Sequence, residues 1–212
     1  MKLLKRPQPP PEFSDPDFVE AFVPAPEVVE WLRAIFLDPE SPLYDEAHTH
    51  LNDAHIGCLW TNAVNVTKQV EVVGMAEIPK PHPALGKWAK ARFEQQMREW
   101  FGWTPLDFLI TLSAPYLAKA EDMLFCAVGK HELCHCGQAL DEYEQPKFRK
   151  KDGRPVFAIR DHDFAGFLSV VRDFGPGAER NVPVLAEILK VGPRISEVDI
   201  RRMCGTCLLR AV

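Results

Sequence analysis

The sequence lacks any long hydrophobic run, and this excludes a membrane-spanning helix. No apolar stretch approaches the roughly 18 residues that such a helix needs. Residues 1–6 carry positive charge but contain no long apolar segment ahead of Pro7, so we expect no secretory signal. The net charge is −5, which provides no overall positive field for binding nucleic acid. The sequence also has no Gly-rich phosphate loop and no G-x-S-x-G motif.

The chain has few cysteines, and we expect them to be reduced. An even number could form disulfides, but a chain of 212 residues without an export signal fits a cytoplasmic protein better. The motif Cys204-Gly205-Thr206-Cys207 could supply two metal ligands, although a single C-x-x-C is weak evidence and two ordinary thiols are the preferred interpretation. The six residues are Cys58, Cys126, Cys134, Cys136, Cys204 and Cys207.

The most informative motif is H-E-x-x-H, at His131-Glu132-Leu133-Cys134-His135. On an α-helix, residues four apart share one face, so both histidines can direct their imidazoles at a single ion. Glu132 lies about 100° round the helix from His131, within reach of a water on that ion. The motif is typical of zinc-dependent peptidases, and Glu132 is the candidate general base.

The context of this motif predicts a helix over residues 119–136. Leu124, Val128, His131 and His135 form one helical stripe that is apolar at its start and imidazole at its end. Gly137 could end the helix as a left-handed cap, or it could lie inside a helix that continues to Tyr143.

A catalytic zinc site uses three protein ligands, so a third is expected downstream. His162 is the preferred candidate because Phe164, Phe167, Leu168 and Val171 predict a second amphipathic helix beside it. Asp161 or Asp163 could fix the tautomer of His162. Asp141, which lies six residues after His135, is the alternative. Zinc peptidases that place their third ligand at this distance have a glycine at the position that Gln138 occupies here. Cys134 and Cys136 flank His135 and could instead complete a closed structural site.

Several segments of the chain resemble the putative phage metallopeptidases, a family of phages and prophages. The resemblance rests on the H-E-x-x-H-C run, on the basic stretch that follows it, and on His162-Asp163-Phe164-Ala165-Gly166-Phe167. It implies zinc binding and a fold akin to SprT-type proteases, and hence action in the host cytoplasm. It does not imply a substrate.

The chain predicts an α+β fold, in which a small sheet packs against helices as in a minimal zincin-like domain. We predict a Pro-rich arm over residues 1–26, a zinc metallopeptidase-like domain over 27–180, and a helical extension over 181–212. Predicted helices cover residues 27–37, 87–101 and 184–191, and predicted strands cover 55–61, 70–78 and 108–112, of which the first two are expected to pair. The strand 108–112 is either a substrate-binding edge, as the resemblance implies, or a central core strand.

The expected function is hydrolysis of a protein or peptide substrate with Zn2+ as the cofactor. Tyr143 and Arg160 are candidate oxyanion donors. The competing hypothesis is a zinc-stabilised binding protein without catalytic activity, with Cys/His ligands.

His48 and His50 lie in a polar stretch, so we expect their side chains to be solvated. The basic run predicts a solvated loop, with a polyanion contact as the alternative, and consists of Lys147, Arg149, Lys150, Lys151 and Arg154.

Overall fold

A computed structural model of the chain describes residues 5–67, 69–163 and 182–192. The described residues form two compact units, with residues 5–160 in the first and residues 161–163 and 182–192 in the second. The predicted helix after His162 and the thiols of Cys204 and Cys207 lie outside the described residues. No helix in the described part of the chain is long and apolar enough to span a membrane.

The first unit is built on a four-stranded sheet with the order β1-β2-β6-β5. β2 and β6 are parallel, and the two outer strands are antiparallel to their neighbours. Two short hairpins, β3–β4 and β7–β8, accompany this sheet. The strands in chain order are β1 (Phe22–Pro24), β2 (Ile56–Thr61), β3 (Val66–Thr67), β4 (Val70–Glu71), β5 (Gly74–Glu77), β6 (Phe108–Ser113), β7 (Cys136–Gln138) and β8 (Phe157–Ile159).

Helices of the first unit are α1 (Pro26–Leu32), α2 (Lys87–Phe101), α3 (Ala114–Leu117) and α4 (Asp122–His135). α1 continues as one π-helical turn over Arg33–Leu37, and 3-10 helices cover Pro11–Ser14 and Glu46–Asp53. The second unit contains α5 (Val182–Val191). This mixture of helices and a small sheet confirms the predicted α+β class.

The core lies between the sheet and the helices α1 and α4. Strand alternation sends Trp60 of β2 to this side, where its ring lies 6.1 Å from that of Phe125. Trp31 of α1 packs edge-on against the same phenylalanine, at 5.1 Å between ring centroids. Gly129 lets α1 approach α4 closely, because a Cβ at this position would lie 2.9 Å from Cδ2 of Leu32. The core therefore fixes α4 against the sheet.

One prediction about strand pairing was wrong. Residues 70–78 do not pair with β2, since they form β4 and β5, and β5 pairs with β6. Of the two alternatives for the predicted strand 108–112, the central one is confirmed, because β6 is hydrogen-bonded to β2 on one side and to β5 on the other; β5 is an edge strand. Strand order depends on which helices cover each face of the sheet. The apolar sequence of β6 fits an edge strand or a central strand, so it could not decide between them.

The predicted helix around the H-E-x-x-H motif is confirmed, but both predictions for its end were wrong. α4 ends at His135, and Gly137 lies in β7 rather than in a left-handed cap or a longer helix. A Cβ at Gly137 would lie 2.8 Å from Cβ of Arg160, so the glycine permits the close pairing of β7 with β8.

The N-terminal residues pack against the rest of the first unit. β1 is hydrogen-bonded to β2, and Phe13 is buried in the core. The buried Arg6 guanidinium donates to the carbonyls of Leu117 and Ala120, both at 2.7 Å, and pairs with Asp122 at 2.8 Å. Arg6 thereby satisfies carbonyls that the end of α3 leaves without helical partners.

Candidate metal centre

His131 and His135 lie in the last turn of α4, with their Nε2 atoms 3.2 Å apart. Two imidazoles bound tetrahedrally at about 2.0–2.1 Å from one zinc ion place their nitrogens about 3.3 Å apart. The observed spacing is close to that value, so the pair fits a shared divalent ion. The i, i+4 spacing of the motif produces this convergence.

The orientation of His135 is fixed by the backbone of Arg160. Nδ1 of His135 lies 2.8 Å from the Arg160 carbonyl oxygen, which can only accept a hydrogen bond. Nδ1 therefore carries the proton, and the lone pair of Nε2 faces His131. The Arg160 amide donates in turn to the His135 carbonyl at 2.9 Å. Such a partner behind an imidazole is typical of metal-ligating histidines.

Glu132 is the third polar residue of the motif and is almost fully buried, with 1% of its surface exposed. It lies beside the edge strand β5: a Cβ at Gly74 would come within 2.8 Å of its Oε1 atom. A carboxylate in the same helical turn as two convergent imidazoles can accept a proton from a water held between them.

His48 and His50 were predicted to be solvated, and that prediction was wrong. The 3-10 helix Glu46–Asp53 packs beside α4, where His48 is 2% exposed and its Nε2 lies 3.6 Å from Sγ of Cys134. His50 Nε2 lies 2.8 Å from the Cys136 carbonyl oxygen. Burial lowers the pKa of His48 to about 4. The His-x-His spacing was the only sequence signal for this contact with α4.

His162 belongs to the second unit. Its role as the third ligand stays a prediction. Asp141 lies in an exposed turn, where its Oδ1 accepts hydrogen bonds from the amides of Tyr143 and Gln145.

The four cysteines among the described residues, Cys58, Cys126, Cys134 and Cys136, are free thiols. Cys136 is buried, and its Sγ donates to the Glu132 carbonyl at 3.4 Å. Burial raises the pKa of Cys136 well above its ordinary value, so this thiol stays protonated near neutral pH. Sγ of Cys134 lies 3.6 Å from Nε2 of His48. This arrangement does not favour thiolate ligation of the ion.

Part of the basic run is neutralised within the protein. Arg154 pairs with Asp107 at 2.8 Å and donates to the Asp53 carbonyl at 2.7 Å, and Arg149 lies 3.8 Å from the same aspartate. These contacts attach the loop between β7 and β8 to the start of β6. Tyr143 in this loop is 75% exposed. Asp107 therefore offsets part of the positive charge of this run.

Comparison with known proteins identifies one family. The family model described as "Putative phage metallopeptidase" matches residues 22–190, which is most of the chain. The match begins at β1 and extends into α5. No match was found among the curated proteins or among the solved structures.

Proposed function

The chain belongs to the putative phage metallopeptidase family, and from this premise we propose that it is a zinc-dependent peptidase that acts on protein or peptide substrates. The observation that carries the proposal is the convergence of His131 and His135, whose Nε2 atoms lie 3.2 Å apart. A metal ion follows from the family, and imidazole ligands with tetrahedral spacing suit zinc.

The proposed ligands are His131, His135 and His162, all neutral imidazoles. His162 is included as the third ligand predicted from the sequence, and Asp141 is disfavoured because its carboxylate is engaged in a turn. Three protein ligands leave a fourth position for water, which distinguishes a catalytic zinc site from a closed structural one. When bound there, zinc would make a water molecule more acidic and polarise the substrate carbonyl.

Glu132 is the proposed general base. Its carboxylate accepts a proton from the attacking water, directs the oxygen at the scissile carbonyl, and then delivers the proton to the leaving amine. Burial beside Gly74 holds the carboxylate in one place and excludes bulk water from its flank. His135 keeps its lone pair toward the site because its Nδ1 proton is bound to the Arg160 carbonyl.

The proposed position of the substrate is along β5. This strand is at the edge of the sheet, and it passes Glu132 at Gly74. A peptide that adds to the sheet as a further strand would obtain main-chain hydrogen bonds there and lie next to the proposed base. Action in the host cytoplasm stays a prediction, which rests on the phage family and on the expected reduced state of the cysteines.

The alternative of a zinc-stabilised binding protein with Cys/His ligands receives no support from the cysteine contacts described above. Elemental analysis of purified protein separates the two hypotheses. We expect one zinc per chain in wild type and in Asp141→Ala, and loss of zinc in His162→Ala. Zinc that persists in His162→Ala but is lost in Cys134→Ala or Cys136→Ala would overturn the peptidase site in favour of the structural one.

A further inference from the structure

A cavity lies in the first unit, on the face of the sheet opposite to Glu132. Its volume is about 490 Å³, and it separates the sheet from α2. Strand alternation explains the placement: Gly74 faces α4, and the next residue of β5, Met75, lines this cavity. The cavity is thus separate from the proposed metal centre.

The inner face of α2 shows that this space is left unfilled by the described residues. Phe93, Met97 and Trp100 follow the i, i+4, i+7 spacing of a core-facing stripe, and all three line the cavity. None of them is buried, and α2 has no buried residue at all. An apolar space of a few hundred Å³ with a small number of polar groups is typical of a small-molecule site.

The chemistry of the cavity is set by Glu77. It is the only charged side chain among the described lining residues, and the apolar residues Leu59, Leu109 and Phe93 also line the cavity. Burial raises the pKa of Glu77, because the carboxylate loses water in this environment. A cation placed beside the carboxylate would compensate for that loss.

The length of the site can be read from the strand register. Glu77 pairs with Leu109 at one end, and Ser113 lines the other end, four residues along β6. At about 3.3 Å per residue this distance is about 13 Å. Thr111 lies between the two ends and points into the cavity.

We propose that this cavity binds a small molecule with an apolar body, up to about 13 Å long, and a protonated amine that pairs with Glu77. The apolar body fills the space between α2 and the sheet, and the ammonium group donates to the carboxylate. A neutral or anionic molecule of the same shape gains the apolar contacts but leaves the carboxylate without a partner.

The test is isothermal titration of the full chain with octylamine, and with octanol and octanoate as ligands of matched length. We expect saturable binding of octylamine, at least about tenfold tighter than that of octanol or octanoate, because a charge-assisted hydrogen bond is worth roughly a factor of ten or more. Glu77→Gln should remove that preference, and the exposed control Glu71→Gln should keep it. Thr111→Phe should fill the cavity and abolish binding.

Three results would overturn the proposal. They are the absence of saturable binding in wild type, equal affinity for octylamine and octanol, and unchanged octylamine affinity in Glu77→Gln. An occupant from elsewhere in the chain or from a second copy would give the first of these. The titration does not depend on zinc or on peptidase activity, so its outcome is independent of the function proposed above.

Discussion

Gly74 and Glu132 occupy adjoining space, since a Cβ atom at Gly74 would lie 2.8 Å from Oε1 of Glu132. The contact joins the edge strand of the sheet to the proposed catalytic helix. A methyl group at this position would have to displace the carboxylate, and Glu132 is too deeply buried to move without cost. Gly74 therefore matters because its missing side chain leaves space for the Glu132 carboxylate, and not merely because of its backbone freedom.

Gly74→Ala is expected to lower peptidase activity by roughly tenfold to a hundredfold, because a displacement of about 1 Å can cost that much in rate. Zinc content should be unchanged, since the three atoms nearest to the added Cβ all belong to Glu132 and not to a proposed ligand. Initial rates and elemental analysis of the same sample check both statements. Gly86→Ala is the matched control, because a Cβ at Gly86 meets nothing within 4 Å. Full activity in Gly74→Ala would contradict the placement of Glu132.

Glu132→Gln is expected to retain zinc and to lose activity by about 10²–10⁴-fold, the usual contribution of a general base. The amide keeps the shape of the side chain but cannot accept the proton. Glu142→Gln, an exposed residue of the turn after β7, serves as the control. A Glu132→Gln protein with wild-type turnover would exclude the mechanism, whatever its zinc content.

Gly137→Ala should weaken zinc binding by about 10–100-fold. The added Cβ would meet Cβ of Arg160 at 2.8 Å and push apart β7 and β8, which removes the hydrogen bond from His135 Nδ1 to the Arg160 carbonyl. Competition with a chelating dye measures the zinc affinity. If Gly137→Ala binds zinc as tightly as wild type, the Arg160 carbonyl does not orient His135.

Protonation of His48 is expected to destabilise the fold at acid pH. Burial lowers its folded-state pKa from 6.5 to about 4, so the unfolded chain binds the proton more readily than the folded protein does. Stability is thus fully present above about pH 6.5 and is lost as pH falls toward 4, by at most roughly 3 kcal/mol.

Urea unfolding of metal-free protein between pH 4 and pH 7 measures this effect. His48→Gln should flatten the dependence of the unfolding free energy on pH, and His82→Gln, which changes an exposed histidine, should leave it as in wild type. An unchanged pH dependence in His48→Gln would show that another group is responsible.

Local spacing made α4 and its histidine pair predictable. The i, i+4 positions of His131 and His135 determine that their rings converge once the segment is helical, and the limits of α2 followed from its composition in the same way. The contacts of Glu132 with Gly74 and of Cys134 with His48 could not be predicted. They depend on the order of the strands and on the packing of the 3-10 helix Glu46–Asp53, which are set by contacts between residues distant in the chain.

The apolar stripe of α2 shows the limit of periodicity more directly. The sequence correctly predicted a helix over residues 87–101, yet Trp88 is 86% exposed, and Phe93, Met97 and Trp100 are only half-buried. Periodicity identifies the side that faces the sheet, but it does not determine whether side chains fill the space between them.

β5 is only four residues long, and each residue is committed to one face. Gly74 and Ala76 lie toward α4, whereas Met75 and Glu77 lie toward the cavity under α2. A shift of pairing by a single residue would exchange the two sets, placing a methionine against Glu132 and a carboxylate in the hydrophobic core. Insertions and deletions within β5 should therefore be far less tolerated than substitutions at its ends. A shift of the strand register by one residue would disrupt both the proposed metal centre and the cavity under α2.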